Sequence, residues 1–442
     1  MSMIAYYFRL ALRSLRRNPV LSALMMVAIG VGIGASITTL TVLKLLSADP
    51  LPQKSAVLYY PQLDPRGSAS TKSGAANAEP PDQLSYIDAM YLLNAHRADR
   101  QAVMAAGNFA LRPDPVNGRA VKGFFADARE TSADFFAMFD VPFLYGSAWT
   151  AADDDARARV AVISKALNDK LFGGGNSIGR TLPAGRGQLR IVGVLRDWRP
   201  TPRFYDIESR SSFGDAEQVF VPFLTARELK LGLDGSINCW SNSADIDHLE
   251  TADCGWLQFW VELDTPAKAH EYLDFIGAYS AEQHAKGRFE RAPNVRLRSV
   301  MEWLDYKRVV PGDVRLQAWL ALGFLAVCLV NTVGLLLAKF LRRAPEIGVR
   351  RALGASRRAV FLQFLTEAGL IGLAGGALGL LLALAGLWVV RQQPADYAEL
   401  AHLDLAMFAA TFAAAVVAAL IAGALPAWRA CQIPPALQLK AN

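Results

Sequence analysis

The residues whose types and spacing carry the most chemistry lie at 342–358, RRAPEIGVRRALGASRR. Six arginines and one glutamate stand there between two long apolar runs. Guanidinium groups at that density can pair with carboxylates of a protein partner or hold a loop at anionic lipid. Pro345 suits the first position of a short helix, where its missing N–H costs nothing. Glu346 then sits near the positive end of the helix dipole, and Gly354 supplies a C-terminal stop. Glu367 is the second candidate. A carboxylate about two turns into an apolar run is costly, which points to a functional role, and a place at headgroup level fits as well. Gly372/Gly376 and Gly375/Gly379 form two overlapping GxxxG pairs, suited to close helix packing within the chain or across a dimer.

Enzymatic patterns are missing from the sequence. The five histidines are scattered, HExxH does not occur, and Cys239 and Cys254 have no partners at zinc spacing, so no metal site is expected. No GxxxxGK[ST] occurs, so no nucleotide site of the chain's own is expected. Asp153, Asp154 and Asp155 could hold a cation, but a solvated acidic turn is the simpler reading. No nucleophile–base–acid trio can be read from spacing.

The elements that must position these residues are long and apolar. The 442 residues are 52% hydrophobic and 19% charged, with a mean hydropathy of +0.21 and a net charge of +6. Between 47 and 314 there are 30 basic and 35 acidic residues, so the positive excess lies in the flanking segments. A basic rim beside apolar runs indicates membrane orientation before nucleic acid, and no nucleic-acid partner is expected. The spacing predicts four membrane spans, at 20–46, 315–341, 359–389 and 405–428, each long enough to cross the hydrocarbon. Arg9, Arg13, Arg16 and Arg17 precede the first span, and the 342–358 connection is strongly basic. The 390–404 connection carries Arg391 against Asp396, Glu399 and Asp404. The positive-inside rule therefore puts both termini and 342–358 in the cytoplasm. It puts 47–314 and the short 390–404 loop outside.

Residues 1–19 read as a basic amphipathic helix lying along the cytoplasmic interface, its apolar side in lipid. The first span is too long for a secretory signal and lacks a small-x-small cleavage site, so it reads as a retained anchor. Residues 429–442 form a cytoplasmic tail. The 47–314 region reads as an α+β domain of two lobes. SYIDAMYLLNAHRA (helix) and QAVMAAGNFALRP (strand) are echoed by LQFWVEL, AKAHEYLDFIGAYSAEQHAK and NVRLRSV. These predict a lobe at about 50–111 and 257–310, built on a split βαβ. An inserted lobe at about 112–225 holds VAVIS, a helix ending LFGGG, the strand pair TLPAGRGQLRIVGVLRD and VFVPF. Residues 66–81 read as a polar loop, and 226–256 fit neither pattern. Cys239 and Cys254 both fall in this domain, and an oxidising exterior would join them across a loop of about 15 residues. Pro311-Gly312 is the one strong breaker across 295–318, so a rigid link from the external lobe into the second span is expected.

EIGVRRALGAS (346–356) followed by QFLTEAGLIGLAGGALGLLLA (363–383) resembles the membrane subunit of the FtsX/MacB-type ABC transporter family. ALRSLRRNPVLSALMMVAIGVGIGA (11–35), ETSADFFAMFDVPFLYGSAW (130–149), VAVISKALNDKLFGGGNSIGRTL (160–182) and LPAWRA (425–430) extend the resemblance in order. The resemblance implies a porter-like lobe and an inserted lobe outside a bacterial inner membrane. It implies that Glu346, Ile347, Gly348, Arg350, Arg351, Leu353 and Gly354 form a coupling helix docking on a cytoplasmic ABC ATPase. ATP and Mg would then belong to that ATPase, and this chain would be no enzyme. A second permease subunit, identical or related, and a periplasmic adaptor are further implied partners. The implied work is mechanical export of a substrate on the outer side. The alternative is an FtsX-like regulator or peptide sensor that drives an external partner by the same motion.

Overall fold

The computed structural model describes residues 3–67, 79–111, 122–184, 187–240, 245–403 and 405–432. Residues 68–78 of the polar loop and 433–442 of the tail lie outside them. Two compact units form, one from Met1–Ser47 with Val310–Asn442, the other from Ala48–Val309.

The helical unit begins with α1 (Met3–Arg17) and α2 (Pro19–Leu46). Asn18 separates them, and Pro19 takes the first position of α2, where no intrahelical N–H is needed. One stripe of α1, Ala11, Ser14 and Leu15, is buried against protein, while Tyr6, Phe8 and Leu12 are exposed. The expectation of a helix lying simply on lipid is therefore corrected. Its exposed side fits lipid, and the opposite side is part of the unit's own core.

The second unit is α+β. Its strands are β1 (Leu58–Leu63), β2 (Arg100–Leu111), β3 (Phe124–Thr131), β4 (Phe143–Gly146), β5 (Val160–Ile163), β6 (Thr181–Ala184), β7 (Gly187–Leu195), β8 (Val219–Pro222), β9 (Gly232–Leu233), β10 (Asn238–Cys239), β11 (Cys254–Gly255), β12 (Gln258–Glu262) and β13 (Val295–Ser299). Its helices are α3 (Tyr86–Ala95), α4 (Asp134–Met138), α5 (Ala151–Asp155), α6 (Lys165–Phe172), α7 (Phe223–Glu228), α8 (Pro266–Ala285) and α9 (Val300–Tyr306). The strand order β13-β1-β12-β2 is antiparallel throughout, so β12 splits the β1-α3-β2 unit. The sheet continues without a break through β3, β8, β5, β7 and β4, with β3–β8 and β5–β7 parallel. Both expected lobes thus share one sheet. Two apolar clusters lie along it, one around Leu92, Phe259 and Ile276, the other around Leu167, Ile191 and Val219. β5 and β12 are buried at every position, as strands covered on both faces must be.

The segment before β8 has little regular structure and is held by buried charge. Arg129 on β3 donates through Nη2 to Asp206 at 2.7 Å and through Nε to Glu217 at 3.2 Å. The Tyr205 hydroxyl donates to Glu217 at 2.7 Å. Burial alone would raise the Glu217 carboxyl, but Arg129 and Arg203 more than offset it and hold it at about 2. Cys239 and Cys254 form a disulfide that closes the β10–β11 ladder and ties down the stretch matching neither sequence pattern.

α9 ends with Arg308 in the left-handed region at φ 50°, and the next helix starts only at Gly312. The chain leaves helix at 307–311, where Pro311, the breaker read in the sequence, cannot supply the N–H that a continuing helix needs. Then follow α10 (Gly312–Leu341), α11 (Ala344–Ala352), α12 (Arg357–Arg391) and α13 (Leu405–Gln432). Among the described residues, α2, α10 and α12 are long and apolar enough to cross a membrane. The fourth expected span falls on α13, several of whose side chains lie outside the described residues.

Candidate functional site: an arginine-rich helix over a buried ion pair

The two GxxxG pairs of α12 face different neighbours within the chain. A Cβ built on Gly375 would lie 2.8 Å from Ile29, and one on Gly379 2.7 Å from Ile33, both on α2. On Gly372 it would lie 2.6 Å from Ala419, and on Gly376 2.6 Å from Phe412, both on α13. The absent side chains let α12 sit between α2 and α13 at backbone distance. Ser36 on α2 donates to the Ala321 carbonyl of α10 at 3.2 Å, adding a polar tie on another face.

This packing encloses Glu367. Its side chain is fully buried, as is that of Lys339 on α10, and the two meet at 2.6 Å. Arg343 reaches the other carboxylate oxygen at 3.3 Å. The Ser14 hydroxyl of α1 donates to Glu367, and Arg343 also donates to the Ser14 carbonyl at 3.3 Å. Lys339 further donates to the Ser22 hydroxyl of α2 at 3.1 Å. One carboxylate thus joins α1, α10 and α12, with α2 linked through Lys339. Sequence reasoning singled out Glu367, assigned Arg343 with the other arginines of 342–358 to a partner's carboxylates or to lipid, and did not place Lys339 or Arg343 beside this carboxylate. Their spacing of four places them on one side of the end of α10, and that was the available signal.

α11 follows immediately. It has proline in its first turn, Glu346 there as well, and Arg350 and Arg351 in its last turn, each charge matching the dipole. Gly354 just beyond takes φ +101°, a value that strains any other residue. Glu346 accepts from Arg350 at 2.9 Å and from Arg17 of α1 at 3.5 Å. Arg350 also donates to Gln363 of α12 at 3.3 Å. Gly348 is buried, whereas Val349 and Leu353 are 48% and 83% exposed. The Ile347 side chain lies outside the described residues. The segment is therefore fixed on one side to α1 and α12 and presents apolar side chains and charge on the other.

In the α+β unit, the three aspartates of α5 divide. Asp153 completes a capping box with Thr150, Asp155 is exposed, and Asp154 is turned inward. Asp154 accepts from the Ala133 N–H at 2.7 Å and the Trp149 indole at 2.8 Å. Burial pushes its carboxyl up to about 6 against those hydrogen bonds. No group of three metal-binding side chains converges among the described residues.

A membrane-spanning helical unit with a large α+β domain inserted after its first span, and a short basic helix after its second, defines a class of membrane permease. The chain belongs to the family of the MacB-like periplasmic core domain, whose model matches residues 22–272, and an FtsX-like permease C-terminal model matches residues 319–435. It is 25% identical over 336 residues to the pyoverdine export ATP-binding/permease protein PvdT of Pseudomonas aeruginosa, covering 74% of this chain and 44% of that protein. It is 23% identical over 337 residues to the macrolide export ATP-binding/permease protein MacB of Marinobacter nauticus, covering 74% and 46%. The chain thus spans less than half the length of these curated relatives. The periplasmic region of MacB from Actinobacillus actinomycetemcomitans is similar over 61% of this chain and 98% of that one, at 12% identity and a TM-score of 0.34.

Proposed function

We propose that this chain is the permease subunit of an ABC exporter of the bacterial inner membrane, with the α+β unit outside and α11 docking on a cytoplasmic ABC ATPase. The observation that carries this reading is the construction of α11. It is a short capped helix tied by Glu346 and Arg350 to α1 and α12, with Val349 and Leu353 left exposed. Such a lever moves as one piece with the helices behind it, and its exposed side offers an apolar anchor ringed by arginines. Glu346, Ile347, Gly348, Arg350, Arg351, Leu353 and Gly354 form the docking segment. ATP and Mg bind the ATPase, and hydrolysis there drives mechanical work on a substrate or partner outside, with a second permease subunit completing the complex. The names of the relatives favour export over regulation.

The test is affinity purification of the full chain from its own membranes in mild detergent. An ABC ATPase is expected to co-purify, with recovery falling at least about tenfold for Leu353→Asp combined with Arg351→Glu. Equal recovery from that variant, with its Tm unchanged, would overturn the docking role.

A further inference from the structure

The helical unit carries an apolar groove of about 330 Å³ between α1, α12 and α13, apart from both the buried ion pair and the docking segment. Phe8 of α1, Leu362, Leu365 and Leu373 of α12 and Leu420 of α13 line it. Its volume is roughly twice that of a cavity that takes one benzene ring. Thr366 is the one polar side chain among the described lining residues, and its hydroxyl already donates to the Leu362 carbonyl at 2.7 Å. The walls therefore suit a hydrocarbon.

An apolar groove alone would not say what covers it. Its length is the first indication. From Leu362 to Leu373 the face of α12 runs about 16 Å at 1.5 Å per residue, close to half of a hydrocarbon core of about 30 Å. That is the reach of an acyl chain from one leaflet. Charge is the second indication. Arg358 stands four residues before Leu362, on the same face of α12, and so continues the groove towards the basic end of the unit. Arg9 directly follows Phe8 on α1. Both arginines are exposed, and neither has a hydrogen bond or ion pair among the described residues. The acids of this region are engaged elsewhere, Glu346 by Arg17 and Arg350, Glu367 by Lys339 and Arg343. A hydrocarbon slot one leaflet deep thus ends at two cations for which the described residues supply no counter-ion.

We propose that this groove holds one phospholipid with a net anionic headgroup. One acyl chain lies along 362–373, and the headgroup is held by Arg358 and Arg9. The proposal needs α12 to cross the membrane and does not rest on the docking role of α11.

The experiment is photolabelling of the full chain in phosphatidylcholine nanodiscs. A trace lipid carries a diazirine in its acyl chain and is either phosphatidylglycerol or phosphatidylcholine, and labelled peptides are mapped by mass spectrometry. Phosphatidylglycerol is expected to label 362–373 at least about fivefold more than phosphatidylcholine. The exposed Leu320, Phe324 and Val327 of α10 serve as the reference, labelled alike by both lipids. Arg358→Gln and Arg9→Gln, both at exposed positions, should each lower phosphatidylglycerol labelling of 362–373 about fivefold. Thr366→Phe, which fills the groove, should lower it for both lipids. Equal labelling of 362–373 by the two lipids, the signature of ordinary boundary lipid, would overturn the proposal. So would undiminished labelling in the double arginine variant, or a segment that takes no lipid label and instead cross-links to a second copy of the chain.

Discussion

Glu367→Ala is the most informative perturbation of the helical unit. The substitution leaves the fully buried Lys339 ammonium with one neutral partner among the contacts described above, the Ser22 hydroxyl at 3.1 Å. It also takes an acceptor from Arg343 and from Ser14. Removing one member of a buried ion pair costs about 3–5 kcal/mol, because the remaining charge stays out of water without compensation. For a unit of this size that corresponds to a Tm lower by about 6–20 °C. Lys339→Met should cost less, since Glu367 keeps Arg343 at 3.3 Å and the Ser14 hydroxyl. The double substitution Glu367→Met with Lys339→Met should cost less than Glu367→Ala, because no charge is stranded and the volume is filled. Cys328 offers a direct reporter. It is a free, buried thiol on α10, so its reaction with a fluorogenic maleimide on heating follows the unfolding of this unit. A Cys431→Ser background leaves Cys328 as the one cysteine of the sequence outside the disulfide. A shift below about 2 °C for Glu367→Ala would refute the reasoning, as would a double variant less stable than either single one.

Gly379→Val should destabilise the helical unit by about 1–3 kcal/mol, since its Cβ would meet Ile33 at 2.7 Å and the Gly30 carbonyl at 3.1 Å. The same thiol assay measures this. Cys239→Ser with Cys254→Ser removes a link across 15 residues and should cost the α+β unit about 3 kcal/mol, read by denaturant unfolding. In that unit, Glu217 sits below its ordinary value of 4.5, at about 2. Its contribution to stability is therefore complete above about pH 4.5 and lost as pH falls towards 2. Burial moves Glu130 the other way, from 4.5 up to about 7, with Arg227 pulling back. The folded state then keeps a proton that the unfolded chain has released, and stability declines between those values as pH rises. Glu130→Gln should flatten that decline in unfolding midpoints measured across the same window, and an unaltered slope would contradict the assignment.

The apolar runs, the basic segment between two of them and the alternation of strand and helix patterns were legible in the sequence because each depends on neighbours within a few turns. Pro345, Glu346 and Gly354 mark α11 by local rules of helix ends, and the structure keeps Glu346 and Gly354 in those places while starting the helix one residue before Pro345, at Ala344. Strands β3 and β4 were not read out, since they lack a clean alternation and pairing decides them. The partners of Glu367 were invisible for a different reason. Ser14 is 353 positions away, and it meets the carboxylate only once α1 lies against α12. The overlapping glycine pairs showed that α12 could pack closely, but only the fold assigned one pair to α2 and the other to α13.

The sequence by itself determined which segments are apolar enough for a membrane, where positive charge gathers and where the chain turns, because hydropathy, charge and capping act locally. Tertiary structure alone decided which buried charges are paired and that both expected lobes share one sheet. Those features come from side chains on separate elements meeting in a low-dielectric interior, where an unpaired group is costly and only the packed arrangement supplies its partner.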